Sequence, residues 1–393
     1  METPTPYLQG HPRFTATSGH RLWARWLDRL AEHLIRAVAF VVASVVLLIF
    51  LFVAREALPI VLGGLTTVTS TELIRPEELD SVAPERLRTY LGLGRGEMAS
   101  MSRETLRLLL EVHAEALAEE SVGEDAKVNA LEPRLLFLPF RWSDYDHPVF
   151  VWQPGVWSPK YNVVPLLLGS LKVTGIAMAV AVPLALAAAL HVSQLASRRF
   201  RDWAKPAIEL LAGIPSVVLG SLAMLAFAPV FQAVTGTPFM LNSLVAGVAL
   251  GIAVVPLVFS LAEDAISGIP PELGRAALAL GATRWQAAWH VVLPAALPGI
   301  AAAVVLGFGR ALGETMIVLI ASGNAPMMGW SPLLPARTLT ATIAAELGET
   351  EFGGHHFRML FLLGTLLFVV TLSINLIASA VFRRLRRRTE GSR

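Results

Sequence analysis

Two formal charges stand inside one long apolar stretch, Leu297 to Ser322: Arg310 and Glu314, four positions apart. A charge in such a run costs roughly 2.5–3.5 kcal/mol to place in hydrocarbon, so it pairs or lines a polar cavity. On a continuous helix the two share one face, a turn apart. Arginine presents a planar fork of N–H donors suited to the oxygens of an oxyanion. An ionised carboxylate accepts a hydrogen bond from an anion that still carries a proton and repels one that is fully ionised. The competing reading is a pair that neutralises itself along the helix to permit insertion. Glu209 opens another apolar stretch and reads as a packing carboxylate. Pro215 is expected to kink that stretch, freeing a carbonyl near Ser216.

Other chemistries lack their residues. A phosphate-cradling loop needs Gly before Lys and Ser or Thr after it, whereas Lys127, Lys160, Lys172 and Lys205 follow Ala126, Pro159, Leu171 and Ala204. Gly307, Gly309 and Gly313 lie in an apolar helix with no strand before them, so close helix packing explains them better than a nucleotide fingerprint. The sequence has no cysteine, hence no disulfide, thiolate ligand or cysteine nucleophile. His113 and His147 have no second ligand at a metal-binding spacing, and adjacent His355 and His356 read as a solvated loop. No metal site is expected.

The elements that position these residues are membrane helices. Of 393 residues 54% are hydrophobic and only 16% charged, against about 25% charged in soluble domains. Uncharged Ala37 to Ala54, bracketed by Arg36 and Arg55, crosses a core of roughly 30 Å. It is too long and too far from Met1 for a signal peptide. Later stretches near Val163 to Val192, Ala207 to Phe231, Leu241 to Leu261, Leu297 to Ser322 and Met359 to Phe382 bring the count to six. With six spans the basic clusters Arg13 to Arg36, Arg198 to Lys205, Arg275 to Arg284 and Arg383 to Arg393 fall on one side, which places both termini in the cytoplasm. The domain reading is a cytoplasmic segment 1–36, a first helix 37–62, an extracytoplasmic insert 63–162, a transmembrane domain 163–383 and a basic tail 384–393. Within the insert Ser102 is expected to cap a helix through about Glu119, and Pro84 to open a shorter one before Gly92. Leu135 to Phe140 and Val149 to Trp152 read as strands.

Between the fourth and fifth spans, Pro271 to Pro294 carries Ala276, Ala277, Gly281, Val291, Leu293 and Pro294 at a recognisable spacing. It resembles the cytoplasmic loop of binding-protein-dependent ABC importer permeases, which dock an ATPase. Arg275 stands where that family usually has Glu, so the Glu contact is not carried over. Physically, two short helices are expected to meet at Gly281, with small Ala276 and Ala277 permitting close approach. A bilayer-surface helix bearing Arg284, Trp285 and Trp289 is the alternative. Ala207 to Ser216, Gly309 to Met316 and Arg337 to Glu349 narrow the resemblance to PstC-type permeases of bacterial phosphate importers, from Trp157 onward.

That resemblance implies an all-α membrane protein with six transmembrane helices in the MetI-like permease fold and an extracytoplasmic insert between the first two. It implies a transport subunit and no enzyme. The pathway residues it points to are Arg310 and Glu314, joined by Thr315 of the same motif and by Ser216. No cofactor is expected on this chain, with ATP and Mg held by a PstB-like ATPase dimer. Further partners are a PstA-like second permease, a PstS-like secreted phosphate-binding protein and membrane lipid. Sulfate, molybdate or phosphonate are the alternative cargoes. A membrane sensor is disfavoured because no output module is recognisable, and a membrane enzyme because no nucleophile has its base on a neighbouring span.

Overall fold

The computed structural model describes residues 18–61, 87, 91, 101–121, 133–142, 145–154, 159–350 and 352–390. The chain divides into two units, 1–52 and 53–393. The first unit is represented by the greater part of α1 (Ser18–Val61). Six described helices are long and apolar enough to cross a membrane: Arg29–Val61, Val164–Leu195, Ser216–Thr235, Ser243–Ser267, Arg284–Leu312 and His355–Ala380.

The spine of the second unit is a pair of long helices, α3 (Val164–Leu190, prolonged by a π turn His191–Leu195) and α7 (Ser243–Ser267). They are joined by glycine and alanine. A Cβ on Gly247 would come within 2.5 Å of Ile176, and one on Gly251 within 2.9 Å of the Ala177 carbonyl. Lipid tails are as apolar as the side chains, so backbone approach of this kind is what makes membrane helices associate. The fifth span joins through Gly299, against Ala265, and Gly307, against Val258. Gly307 thus packs as expected.

Two spans are not the unbroken helices expected. The third is divided at Ile214 and Pro215 into α4 (Arg198–Leu210) with a 3₁₀ turn after it, and α5 (Ser216–Leu222), which runs through a π turn into α6 (Ala228–Thr235). Proline drives the preceding residue out of the helical region, and Ile214 is extended at φ −72°, ψ 125°. The break exceeds the kink expected of Pro215. The fifth span starts earlier than Leu297, as α9 (Arg284–Ala287) passing by a π turn into α10 (Leu293–Leu312). It stops at Gly313, beyond which lies α11 (Met316–Ala321).

The segment after α11 folds back over the ends of the long helices. Lys172 of α3, buried, donates to the carbonyls of Gly329 and Ser331 at 3.1 and 3.3 Å. Ser243 and Leu244 at the start of α7 donate backbone N–H to the carbonyls of Leu334 and Pro332. Then α12 (Leu339–Glu346) leads to α13 (His355–Glu390), the last span.

The described part of the insert contains α2 (Arg103–Ser121), whose start is capped by Ser102 Oγ accepting from Thr105 N at 3.2 Å. Leu87 and Leu91 are helical, while the rest of the shorter helix expected after Pro84 lies outside the described residues. Leu135 does not enter a strand. Pro133–Leu136 is a 3₁₀ turn, because Asn162 Nδ2 takes the carbonyls of Leu135 and Leu138 at 2.9 and 2.8 Å. Phe140 and Val149 form an isolated antiparallel bridge, and β1 (Trp152–Gln153) pairs with β2 (Lys160–Tyr161). The hairpin, with Leu136, shares a core with Ile60, Leu166, Leu339, Met359 and Leu363.

Candidate functional site

The break in the fifth span decides how Arg310 and Glu314 relate. Glycine costs about 1 kcal/mol relative to alanine inside a helix, and at Gly313 the chain leaves the helix. Glu314 then turns toward the next helix: its Oε1 accepts from the N–H of Met316, the first residue of α11, at 3.3 Å. The carbonyl of Glu314, freed by the break, accepts from Thr340 Oγ1 of α12 at 2.8 Å, which satisfies it where water is scarce. The continuous helical face expected for the pair is therefore absent.

Among the described residues no ion pair joins Arg310 to Glu314, so mutual neutralisation does not account for them. Arg310 is exposed on the last turn of α10, Glu314 and Thr315 are half-buried, and Ser216 is half-buried at the first turn of α5. Thr315 Oγ1 bonds weakly back to Gly313 O at 3.4 Å. Ser216 reaches this region only through its helix: Gly220, one turn on, packs against Met316 and Ile317 of α11. A cleft of about 570 Å³ opens beside the break, lined by Gly313, Thr315, Thr340, Ile343, Gly348 and Leu367 among others. An arginine without an ion pair among the described residues, on the last turn of α10, and a cleft at the break beyond it lined by Thr315 and Thr340, offer donors for a small oxyanion.

Sequence reasoning passed over two polar groups nearby. Asn375 of α13 faces Gly309, 4.0 Å from where a Cβ would lie there. Glu346 is buried, and three groups converge on it: Arg337 Nη1 at 2.8 Å, Trp152 Nε1 at 3.2 Å and His356 Nε2 at 3.2 Å. His355 and His356 are thus no solvated loop. They begin α13, and His356 stacks on Tyr161 at 5.7 Å and 21°. Burial, and then the Glu346 charge, push the Tyr161 phenol up, so it stays neutral. A sequence signal existed, since Arg337 and Glu346 bracket the threonine-rich start of α12.

The loop 271–294 has the shape its spacing promised, with one change. Helix α8 (Pro271–Ala279) ends in a Schellman motif: Gly281 N donates to Leu278 O at 3.0 Å and Ala282 N to Ala277 O at 3.1 Å. Gly281 has φ +91° and open space around it, so the reversal needs its backbone freedom more than its lack of bulk. Thr283 and Gln286 then form a capping box, with Gln286 N to Thr283 Oγ1 at 3.2 Å and Thr283 N to Gln286 Oε1 at 2.8 Å. The second helix is no separate short piece but the start of the fifth span. Pro294 cannot donate to the carbonyl four residues back, and the π turn Ala288–Val292 absorbs the mismatch. Arg275, Ala276 and Pro294 are exposed, Ala277 and Leu293 half-buried. Leu273, Leu278 and Leu280 are exposed, as are the stacked Trp285 and Trp289. An exposed apolar knuckle of this kind suits a groove on a partner.

Residues 181–391 match the profile of the family described as "Binding-protein-dependent transport system inner membrane component". The "Probable ABC transporter permease protein YqgH" of Bacillus subtilis is 37% identical over 221 residues, 56% of this chain and 71% of that protein. The "Phosphate transport system permease protein PstC" of Xylella fastidiosa is 34% identical over 258 residues, 59% of this chain and 78% of its own. That named "PstC 1" in Mycobacterium tuberculosis is 34% identical over 251 residues, 58% and 74% of the two chains. A chain of the MetNI methionine ABC transporter, inward facing, gives a TM-score of 0.43 at 19% identity over 56% of this chain and 93% of that one, too loose a likeness to carry any step.

Proposed function

The chain belongs to the family of binding-protein-dependent transport system inner membrane components, and from that premise we propose that its cargo is inorganic phosphate. It is a multi-pass permease subunit of the inner membrane, and its family works with an ATPase and a binding protein. The observation that carries the phosphate reading is Arg310: an exposed guanidinium without an ion pair among the described residues, on the last turn of a membrane helix, three residues before the break at Gly313 on which the cleft opens. Relatives named as phosphate permeases support the same cargo. In this reading Arg310 binds the anion, while Glu314 accepts the proton that phosphate still carries and disfavours sulfate. Thr315 and Ser216 contribute hydroxyls along the path.

The loop 271–294 docks a separate, PstB-like ATPase dimer through the knuckle at Gly281, and that dimer holds ATP and Mg. A PstA-like permease completes the membrane assembly and a PstS-like protein delivers the phosphate. In this reading both termini face the cytoplasm, the side on which the arginine clusters fall. The test is reconstitution with these partners in liposomes, followed by ATP-dependent uptake of labelled phosphate against competing sulfate and molybdate. Uptake blocked by phosphate but spared by tenfold sulfate and molybdate is the expected result. Absence of ATP-dependent phosphate uptake would remove phosphate as the cargo, and equal competition by sulfate or molybdate would remove the selectivity assigned to Glu314.

A further inference from the structure

We propose that α4 is a lipid-binding helix that lies in the headgroup layer of the bilayer and recruits anionic phospholipid through Arg198 and Arg199. One face of this helix is fully engaged with α7. Arg201 Nη2 donates to Glu263 Oε1 and Ser267 Oγ at 3.0 Å each and to Ser193 O at 3.1 Å. Lys205 Nζ donates to Glu263 Oε2 at 2.6 Å and Asp264 Oδ1 at 3.0 Å, and Glu209 accepts from Ser260 Oγ. Ala204 is buried between these groups. The anchors fix the rotation of the helix, and the face they turn outward is apolar: Phe200 is 45% exposed, Trp203 70% and Leu210 76%.

Three charges remain outside the network, Arg198, Arg199 and Asp202, all exposed and without an ion pair among the described residues. The excess is positive and lies at the helix start, with Arg199 one turn from Trp203 on the apolar side. Aromatic rings beside arginines, on a helix whose opposite face is polar, match the boundary between acyl chains and anionic headgroups. The connectivity permits little else. The preceding span ends at Leu195 and the next begins at Ser216, so α4 hangs between two spans on connectors of a few residues. Thirteen residues extend only about 20 Å, which keeps the whole helix close to one membrane face.

The chain has no native cysteine, so single cysteines report cleanly. Trp203→Cys and, as a control, Asp202→Cys would each be labelled with bimane in the assembled transporter in nanodiscs. Quenching would be read from lipids brominated at shallow and deep acyl positions and from aqueous iodide. The expected result is quenching of the position-203 label by shallow bromine, with the position-202 label answering to iodide. Phe200→Cys gives an independent reading should Trp203→Cys fail to assemble. Dominant iodide quenching at 200 and 203 would overturn the proposal, and so would protection from both quenchers when the ATPase is present, since the face would then bind protein. In a second arm, brominated phosphatidylglycerol should quench more than brominated phosphatidylcholine at equal fraction, by a relative association of roughly fivefold per arginine. Arg198→Gln with Arg199→Gln should erase that preference. Equal quenching by the two lipids with both arginines present would defeat the anionic specificity.

Discussion

Arg310 leaves its helix with no carboxylate to meet it, and Glu314 is occupied at the head of α11, so substitutions at the two positions should act independently. Arg310→Ala should abolish phosphate uptake, by at least ~100-fold, while membrane abundance stays near that of the parent, because no internal partner is stranded. Glu314→Gln keeps an oxygen for Met316 N and should change stability by less than about 1 kcal/mol, yet phosphate uptake should fall and sulfate should compete better. The double change to Ala at both positions should restore nothing. Uptake and competition at matched abundance in all three variants check this, and recovery in the double variant would reinstate the self-neutralising pair. The residue types were legible in the sequence, whereas their relation was not. The apolar stretch resumes at Met316, so hydropathy does not mark the break at Gly313, and nothing local announces that Thr340 satisfies the Glu314 carbonyl.

At the scale of elements, the knuckle 271–294 was readable because its signals are local: small Ala276 and Ala277, a bend at Gly281, and Leu293 and Pro294 at a fixed distance beyond. Gly281 is open to solvent at φ +91°, so its constraint is conformational. Gly281→Asn, which tolerates positive φ, should retain uptake within about threefold. Gly281→Trp should insert normally but lose uptake and leave ATP hydrolysis uncoupled, if the ATPase docks here as proposed. Parallel ATPase and uptake assays on both variants distinguish these outcomes, and normal uptake by the tryptophan variant would refute docking at this loop. The root of the knuckle is set by the last turns of α7, where Glu263 holds Arg201 and Lys205 of α4. Its hydrogen bond raises the Lys205 pKa, a sign that the pairing favours the charged form. Both cations remain about a third exposed, which screens them, so Glu263→Ala should cost ~2 kcal/mol and not more. A fall in detergent melting temperature together with weaker ATPase co-purification would bear this out. Unchanged co-purification would confine Glu263 to local packing.

Across the whole molecule, the six spans followed from hydropathy, but how the insert joins them did not, because its contacts are distant in sequence. Trp152 meets Glu346 across 194 positions, and Leu136 enters the same core as Met359 and Leu363. The insert is therefore divided in its demands on the fold. Residues 133–142 hold carbonyls for Asn162 and a buried Leu136 and Trp142, whereas the buried Leu106 and Leu110 of helix 103–121 stand outside the core that Leu136 shares with Met359 and Leu363. Replacing 73–121 with a short Gly/Ser linker should lower uptake modestly, by about two- to fivefold, while abundance holds. Extending the replacement to 143 should reduce abundance sharply, because Leu136 would leave the core it shares with Met359 and Leu363 and Asn162 would be left without its acceptors. In both variants the phosphate-to-sulfate preference should be that of the parent, since Arg310 and Glu314 lie on other elements. Quantitative membrane immunoblots with competitive uptake separate the two effects. A shifted preference in the shorter replacement would show that the segment between the first two spans takes part in choosing the cargo, and full abundance in the longer one would show that the spans pack without it.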